Sequence, residues 1–388
     1  MTASADDSST IHRVSKNTGT SIGIGLVGTG FMGRAHSNAW SQAARFFDPA
    51  VTPELRAVTA RRLPATESFA ARWGWGRAVP DVRTLLDDPG VGLVDVTTPN
   101  DSHREIALAA LASGRHVACE KPLAGTLDDA RAMAAAAATT TGRTFVWYSY
   151  RRVPAIALAR VLVQQGRIGT VRQVRACYAQ SWGGPEAGAV WRFDGAVAGS
   201  GANGDINAHI VDAVRFVTGE EIVEVSGALE KTFIAGHTVD DTVMFLGRLS
   251  GGGLATFEAS RLATGYHNHH GFEIHGERGA LRFWFDEMGR LDFYDATADR
   301  LVRGWTSIDV TDAAAGHPWL SAWWPAGHPI GYEHTFVNQA ADILAVLAGG
   351  QPVAPLPDFA DALVVQTVLA AVTESARRRA PVTVAELA

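Results

Sequence analysis

Ile22 to Val27 reads as a short buried strand, and it runs straight into Gly28-Thr29-Gly30-Phe31-Met32-Gly33 before a helical pattern opens at Arg34. This junction constrains the fold more than any other stretch of the chain. The first glycine permits a tight turn, the second lets a bound group approach the backbone, and the third lets helix pack closely on strand. The helix N-terminus then offers unpaired N–H groups and the positive end of its dipole. The pattern predicts a turn that cradles the pyrophosphate of a dinucleotide.

The surrounding sequence extends this local reading to a domain. Strand candidates at Leu55–Thr59, Leu93–Thr97, His116–Cys119 and Thr144–Tyr148 alternate with helix candidates. One helix is His103–Ala112, and another starts after Thr126 as N-cap, with Asp128 and Asp129 in its positive first turn. Alternation of this kind predicts a parallel sheet covered on both faces, with ligands bound along one edge. After about residue 149 the texture changes to half-buried alternation over Val171–Gln180, Glu221–Leu229, Val239–Leu249 and Leu254–Leu262. A hairpin is expected through Gly276-Glu277-Arg278-Gly279, and helical patterns return at Thr335–Leu347 and Phe359–Arg377. The fold class read from this order is α/β: an N-terminal Rossmann domain over 22–148, then an α+β domain over 149–388 with a large, mostly antiparallel open sheet. Residues 1–21, rich in Ser, Thr and Asp without an apolar run, read as a mobile leader and not a signal peptide.

Composition excludes several function classes. The 388 residues carry a net charge of −6, which argues against a nucleic-acid or anionic-membrane surface. No apolar run reads as a bilayer span, and two cysteines give no disulfide framework, so the cytoplasm is the expected compartment.

The cofactor and its chemistry follow from three further stretches. The second strand ends Thr59-Ala60-Arg61-Arg62, with no acid for a ribose 2′-hydroxyl and two guanidinium groups suited to a 2′-phosphate. The expected cofactor is NAD(P), with NADP(H) favoured over NAD(H). Strand His116–Cys119 ends in Glu120-Lys121-Pro122, which places Lys121 toward the nicotinamide end of the cleft. Gly204-Asp205-Ile206-Asn207-Ala208-His209 opens a helix with the apolar stripe Ile206, Ile210, Val214 and Val217. On such a helix Asp205 and His209 lie one turn apart, and the carboxylate is expected to orient the imidazole. Asp212 is expected to cap or solvate the helix.

At this point the chain resembles the Gfo/Idh/MocA oxidoreductase family. The resemblance rests on Gly28–Gly33, the Thr97-Thr98-Pro99-Asn100 turn with His103, Glu120-Lys121-Pro122 and Asp205-x-x-x-His209. Within the family it is most similar to levoglucosan-dehydrogenase-like members, through Tyr150–Ala155, Trp191-Arg192-Phe193 and Phe272–Gly276. Ala60 departs from the acid those members tend to carry. The residues themselves put Gly28, Gly30, Phe31, Met32, Gly33, Arg61 and Arg62 at the cofactor, and the resemblance implies Thr97, Thr98, Pro99, Asn100, His103, Glu120 and Lys121 there as well. It implies Lys121, His209 and Asp205 as the catalytic set, with Lys121 or His209 as proton acceptor. The reaction implied is hydride transfer between nicotinamide and a secondary hydroxyl or ketone of a sugar, anhydrosugar or cyclitol. A glycosidase working through transient oxidation and a non-catalytic cofactor sensor are the alternatives.

Substrate contacts are expected from Tyr150, Arg152, Trp191 and Arg192, together with Asp205 and His209; Arg151 and Tyr332 could add polar contacts. The chain has 11 tryptophans, and Trp182, Trp191, Trp319, Trp323 and Trp324 are the candidates to stack on a sugar face. His267, His269 and His270 read as hydrogen-bonding groups and not metal ligands, since hydride transfer needs no metal. A carbohydrate is the expected small-molecule partner. The open sheet predicts a homodimer or homotetramer.

Overall fold

The computed structural model describes residues 20–188 and 190–388. The leader reading therefore lies outside the described residues, except that Thr20 and Ser21 already belong to the first strand. The order β1 Thr20–Val27, α1 Phe31–Phe46, β2 Val51–Thr59, α2 Leu63–Trp73, β3 Arg77–Val79, α3 Val82–Leu86, β4 Val91–Val96, α4 His103–Ala112, β5 His116–Cys119, α5 Leu127–Ala138 and β6 Thr144–Val146 builds the N-terminal unit. Its strands form one parallel sheet in the order β3-β2-β1-β4-β5-β6. The order reverses between β1 and β4, which opens a crevice beyond their carboxyl ends. Thr126 caps α5 by accepting from the Asp129 N–H at 3.1 Å, the device its sequence suggests.

The second unit follows with α6 Pro154–Gln164, β7 Val171–Ala179, α7 Gly195–Ala198 and α8 Ala208–Thr218. Strands β8 Ile222–Lys231, β9 Thr242–Leu249, β10 Leu254–Ser260, β11 His269–Gly276, β12 Gly279–Trp284, β13 Arg290–Asp295 and β14 Trp305–Asp309 then succeed one another, before α9 Tyr332–Leu347, α10 Phe359–Arg378 and β15 Val382–Thr383. The sheet runs β14-β13-β12-β11-β7-β10-β9-β8-β15, antiparallel apart from the β7–β10 pair. One face is covered by α6, α8 and α10. The other carries the exposed side chains of Leu229, Met244, Leu246 and Leu254, neighbours through the β8–β9 and β9–β10 registers.

The last helices return to the first unit. Phe336, Val337, Ala340, Ile343 and Leu344 of α9 share a core with Ile24, Leu26, Ala39, Trp40 and Ala43, and α10 packs on α5 as well as on β8. By length and mean hydropathy of 1.3, α10 passes as a bilayer span, contrary to the sequence reading. It is apolar because it is enclosed on two sides by protein.

A cleft with a lysine–aspartate clamp

A cleft of about 1470 Å³ runs from the glycine turn to the helix-covered face of the second sheet. At its cofactor end the three glycines have separable duties. Gly28 has φ +110, and a Cβ there would meet Thr97 Oγ1 at 2.6 Å. A Cβ at Gly33 would lie 2.4 Å from the Gly28 carbonyl oxygen, whereas at Gly30 nothing stands within 4 Å. The third glycine is thus a packing requirement between α1 and the turn, and the second faces open space. Helix α1 begins without a side-chain cap or an acidic residue in its first turn. Its N–H donors remain available to an anion, so the turn fits a dinucleotide pyrophosphate. Phe31, Met32, Arg61, Arg62, Thr97, Thr98, Pro99, Asn100, Glu120 and Lys121 also line the cleft. Asp81, on the same adenosine-side wall, is engaged in capping α3 through the Thr84 N–H at 2.7 Å.

His103 is placed differently from the expectation. It is buried beneath the cleft, with Nε2 3.0 Å from the Thr98 carbonyl and Nδ1 3.2 Å from the Pro122 carbonyl. It ties the Thr97–Asn100 turn to the Lys121–Pro122 turn, a structural duty in place of the cofactor contact that the resemblance implied.

The catalytic candidates also pair in an unexpected way. Asn203–Asn207 is one π-helical turn preceding α8, held by Asp240, which accepts the N–H groups of Gly201 and Asn203 at 2.7 Å each. This wider turn displaces the α-helical spacing that would face Asp205 to His209. Asp205 instead takes the Lys121 ammonium on Oδ1 at 3.0 Å and on its carbonyl at 2.7 Å. Its Oδ2 receives Arg261 at 3.0 Å, with Arg192 at 3.6 Å. Burial pushes the Asp205 carboxyl up, but Lys121, Arg261 and Arg192 outweigh it and hold the group well below the usual range.

His209 sits against the rings of Tyr148, Tyr150 and Tyr178. Its Nδ1 is buried without a partner, while the side chain lines the cleft. Burial, then the charge of Lys121, lowers its pKa well below the ordinary value, so the ring is neutral near pH 7. Beside it runs a polar wall. Trp182 Nε1 donates to Gln180 Oε1 at 2.7 Å, and Gln180 Nε2 and Tyr178 OH both donate to Asn268 Oδ1 at 2.7 Å. Tyr150 OH is therefore left to donate to Tyr178 at 2.9 Å.

Several expected substrate contacts are elsewhere. Arg152 is fully buried, donating to the carbonyls of Ala354 and Pro355 at 2.9 Å and facing Asp342. Arg151 pairs with Asp212 at 2.9 Å and with Asp361, so Asp212 is a buried partner and not a solvated cap. Trp319 is buried, with Nε1 3.3 Å from Asp342, and Trp323 and Trp324 pack on Phe46. Of the histidines read as hydrogen-bonding groups, His269 does bond Asp286 and stacks on Trp284, whereas His270 lies buried between Tyr150, Tyr178 and Phe285 with its Nε2 unpartnered. Tyr150, Trp182, Trp191, Arg192 and Tyr332 do line the cleft, with the Arg192 guanidinium 4.4 Å above Trp191. Sequence reasoning missed Arg261, whose guanidinium is fully buried, stacks over Trp182 and donates to the Arg192 carbonyl at 3.0 Å. Nothing in Ser260-Arg261-Leu262 marks it. Missed too was His36, although its place three residues past Gly33 put it on the buried face of α1.

A dinucleotide cleft with a charged clamp at its far end defines the class: an NAD-binding oxidoreductase. The chain belongs to the GFO/IDH/MocA family. Residues 22–148 match the profile described as an oxidoreductase family with an NAD-binding Rossmann fold, and residues 156–282 match the GFO/IDH/MocA C-terminal domain. Levoglucosan dehydrogenase of Pseudarthrobacter phenanthrenivorans is 36% identical, over 94% of this chain and 99% of that protein. A solved oxidoreductase domain protein from Kribbella flavida is 49% identical with a TM-score of 0.90, over 94% of this chain and 99% of that one. Levoglucosan dehydrogenase in complex with NADH gives 35% and 0.90 with the same coverage.

Proposed function

We propose that this chain transfers hydride between NAD(P) and a secondary hydroxyl or ketone of a sugar, anhydrosugar or cyclitol. The observation that carries the reading is the lysine clamp. A partly buried ammonium, fixed by Asp205, and the cleft-facing His209 share one wall, continuous with the glycine turn. Similarity to levoglucosan dehydrogenase over nearly the whole chain supports a carbohydrate substrate, as does similarity to a 1,5-anhydro-D-fructose reductase at 35% identity over 55% of the chain.

Bound nicotinamide dinucleotide supplies the hydride acceptor or donor. Gly28, Gly30 and the first turn of α1 hold its phosphates. Lys121 donates to the reacting oxygen and stabilises alkoxide-like charge there. Asp205 keeps that ammonium aimed. His209, neutral and with one nitrogen enclosed by tyrosine rings, receives the hydroxyl proton or returns it during reduction. Trp182 and Trp191 offer ring faces to the substrate, while Tyr150, Asn268 and Arg192 offer hydrogen bonds.

NADP(H) is favoured over NAD(H), because Ala60 removes the usual acid and Arg61 and Arg62 stand exposed at the adenosine end. The known NADH complex belongs to a relative. The apolar outer face formed by Leu229, Met244, Leu246 and Leu254 supports a homodimer or homotetramer. The unpaired thiols Cys119 and Cys177 fit a cytoplasmic setting. The test is a panel of anhydrosugars, aldoses and cyclitols with either cofactor, followed by nicotinamide absorbance. Turnover of none in either direction, with correctly folded protein, overturns the reading.

A further inference from the structure

Beneath the reacting end of the cleft lies a buried charged cluster that the chemistry above does not use. His36 of α1 is fully buried. Its Nδ1 lies 3.0 and 3.1 Å from the two Asp95 carboxylate oxygens, and its Nε2 lies 3.0 Å from Glu120 Oε1. A ring whose two nitrogens both face carboxylates is placed to donate from both, as a doubly protonated imidazolium does. Asp95 also accepts the indole N–H groups of Trp40 at 2.7 Å and Trp147 at 2.9 Å. The other Glu120 oxygen accepts the Lys121 backbone N–H at 3.0 Å.

We propose that His36 is a positioning residue for hydride transfer: its imidazolium, fixed between Asp95 and Glu120, holds the Glu120 carboxylate and through it the Lys121 backbone at the reacting end of the cleft. The inference rests on Lys121 acting there as proposed above. The connection is continuous. Lys121, held from below by Glu120, reaches across the cleft to Asp205, which Arg261 anchors to the second sheet. The same helix that offers its first turn to the phosphates carries His36 in its next turn. The rings of Trp147 and Phe336, both on the cleft wall, pack on the imidazole at 4.1 and 5.6 Å. The charged groups facing the ring are Asp95 from β4 and Glu120 from the turn after β5; α9 presents only Phe336. Removing the cation leaves two buried carboxylates without their shared counter-ion, and Glu120 loses the contact that orients it.

The test compares His36→Gln, Asp95→Asn and Lys121→Ala with the wild type. It reads kcat, the substrate KM, and the affinities for reduced cofactor and for ADP-ribose, which lacks the nicotinamide. Misplacement of Lys121 should lower kcat about 10- to 100-fold in H36Q, with a smaller fall in D95N. ADP-ribose affinity and substrate KM should stay near wild type. An H36Q protein that melts cooperatively and keeps wild-type kcat, while K121A is inactive, overturns the inference alone. Equal loss of ADP-ribose affinity and kcat in both cluster variants also overturns it, since that is general damage to the domain. Full activity in K121A instead overturns the functional reading beneath it. Should H36Q not fold, D95N with unchanged kcat is the overturning result.

Discussion

Two glycines of one motif should fail in opposite ways when changed to alanine. At position 33 the new Cβ would sit 2.4 Å from the Gly28 carbonyl oxygen and 3.1 Å from its carbon. An ordinary contact needs about 3.4 Å or more, so α1 must move off the turn by roughly 1 Å against a core containing Trp40, Ala43 and α9. Overpacking of this kind costs about 1–3 kcal/mol. At about 2–4 °C per kcal/mol for a domain of this kind, melting should fall several degrees. At position 30 nothing lies within 4 Å, and the backbone, with φ −74 and ψ −155, suits an alanine. Gly30→Ala should therefore melt like the wild type while placing a methyl in the space the phosphates need. Its affinity for NADPH and NADH should drop about tenfold or more, in keeping with the loss of charge-assisted backbone hydrogen bonds. Ligand-free melting by circular dichroism and cofactor titration by fluorescence separate the two effects. The reasoning fails if G30A binds cofactor like the wild type, or if G33A melts no lower than G30A.

Removing the cation in Arg61→Ala or Arg62→Ala should weaken NADPH binding about 10- to 100-fold and leave NADH unaffected; equal effects on both cofactors would reduce these arginines to surface charges. Lys121→Ala should lower kcat about 100-fold or more with cofactor affinity retained, measured by steady-state kinetics beside direct titration. Stability should depend on pH through His36: burial lowers its pKa, but Asp95 and Glu120 outweigh this and raise it from 6.5 to about 9. A folded pKa above the unfolded one contributes stability that is complete below about pH 6.5 and lost as pH rises through about 9, roughly 3 kcal/mol at most. Urea melts of wild type and H36Q should converge over that window, and a constant gap would refute the assignment. Light scattering should find a dimer or tetramer, and Leu246→Glu on the outer sheet face should shift it toward monomer.

What the sequence made legible was whatever depends on local pattern. The glycine turn, the alternation of strands and helices, and the hairpin at Gly276–Gly279 all rest on neighbours in the chain. Strand β5, helix α4 and the buried stripe Ile206, Ile210, Val214 and Val217 lie where periodicity put them. Strands β3 and β15, of three and two residues, were not visible, whereas the equally short β6 was, because its apolar run continues through Trp147 and Tyr148. The return of α9 onto α1 was equally hidden, since an amphipathic face does not say which sheet it covers.

The site itself was legible as a set of residues but not as a set of pairs. Asp205 and His209 were found, yet an i, i+4 spacing implies contact only if the backbone between them is α-helical. The turn at Asn203–Asn207 is π-helical, and Asp240, far along the chain, takes the N–H groups of Gly201 and Asn203 at its entry. That turn changes the chemistry available. It turns Asp205 from an orienter of the imidazole into the anchor of the lysine, and leaves His209 neutral among tyrosines. Asp240→Asn keeps an acceptor for one N–H and presents an amide to the other, so the π turn should lose its support. Asp205 should then relax toward His209, raising the histidine pKa as a carboxylate neighbour does. An NMR titration of His209 would read this directly, and an unchanged pKa in D240N would show that the turn is held by something other than its cap.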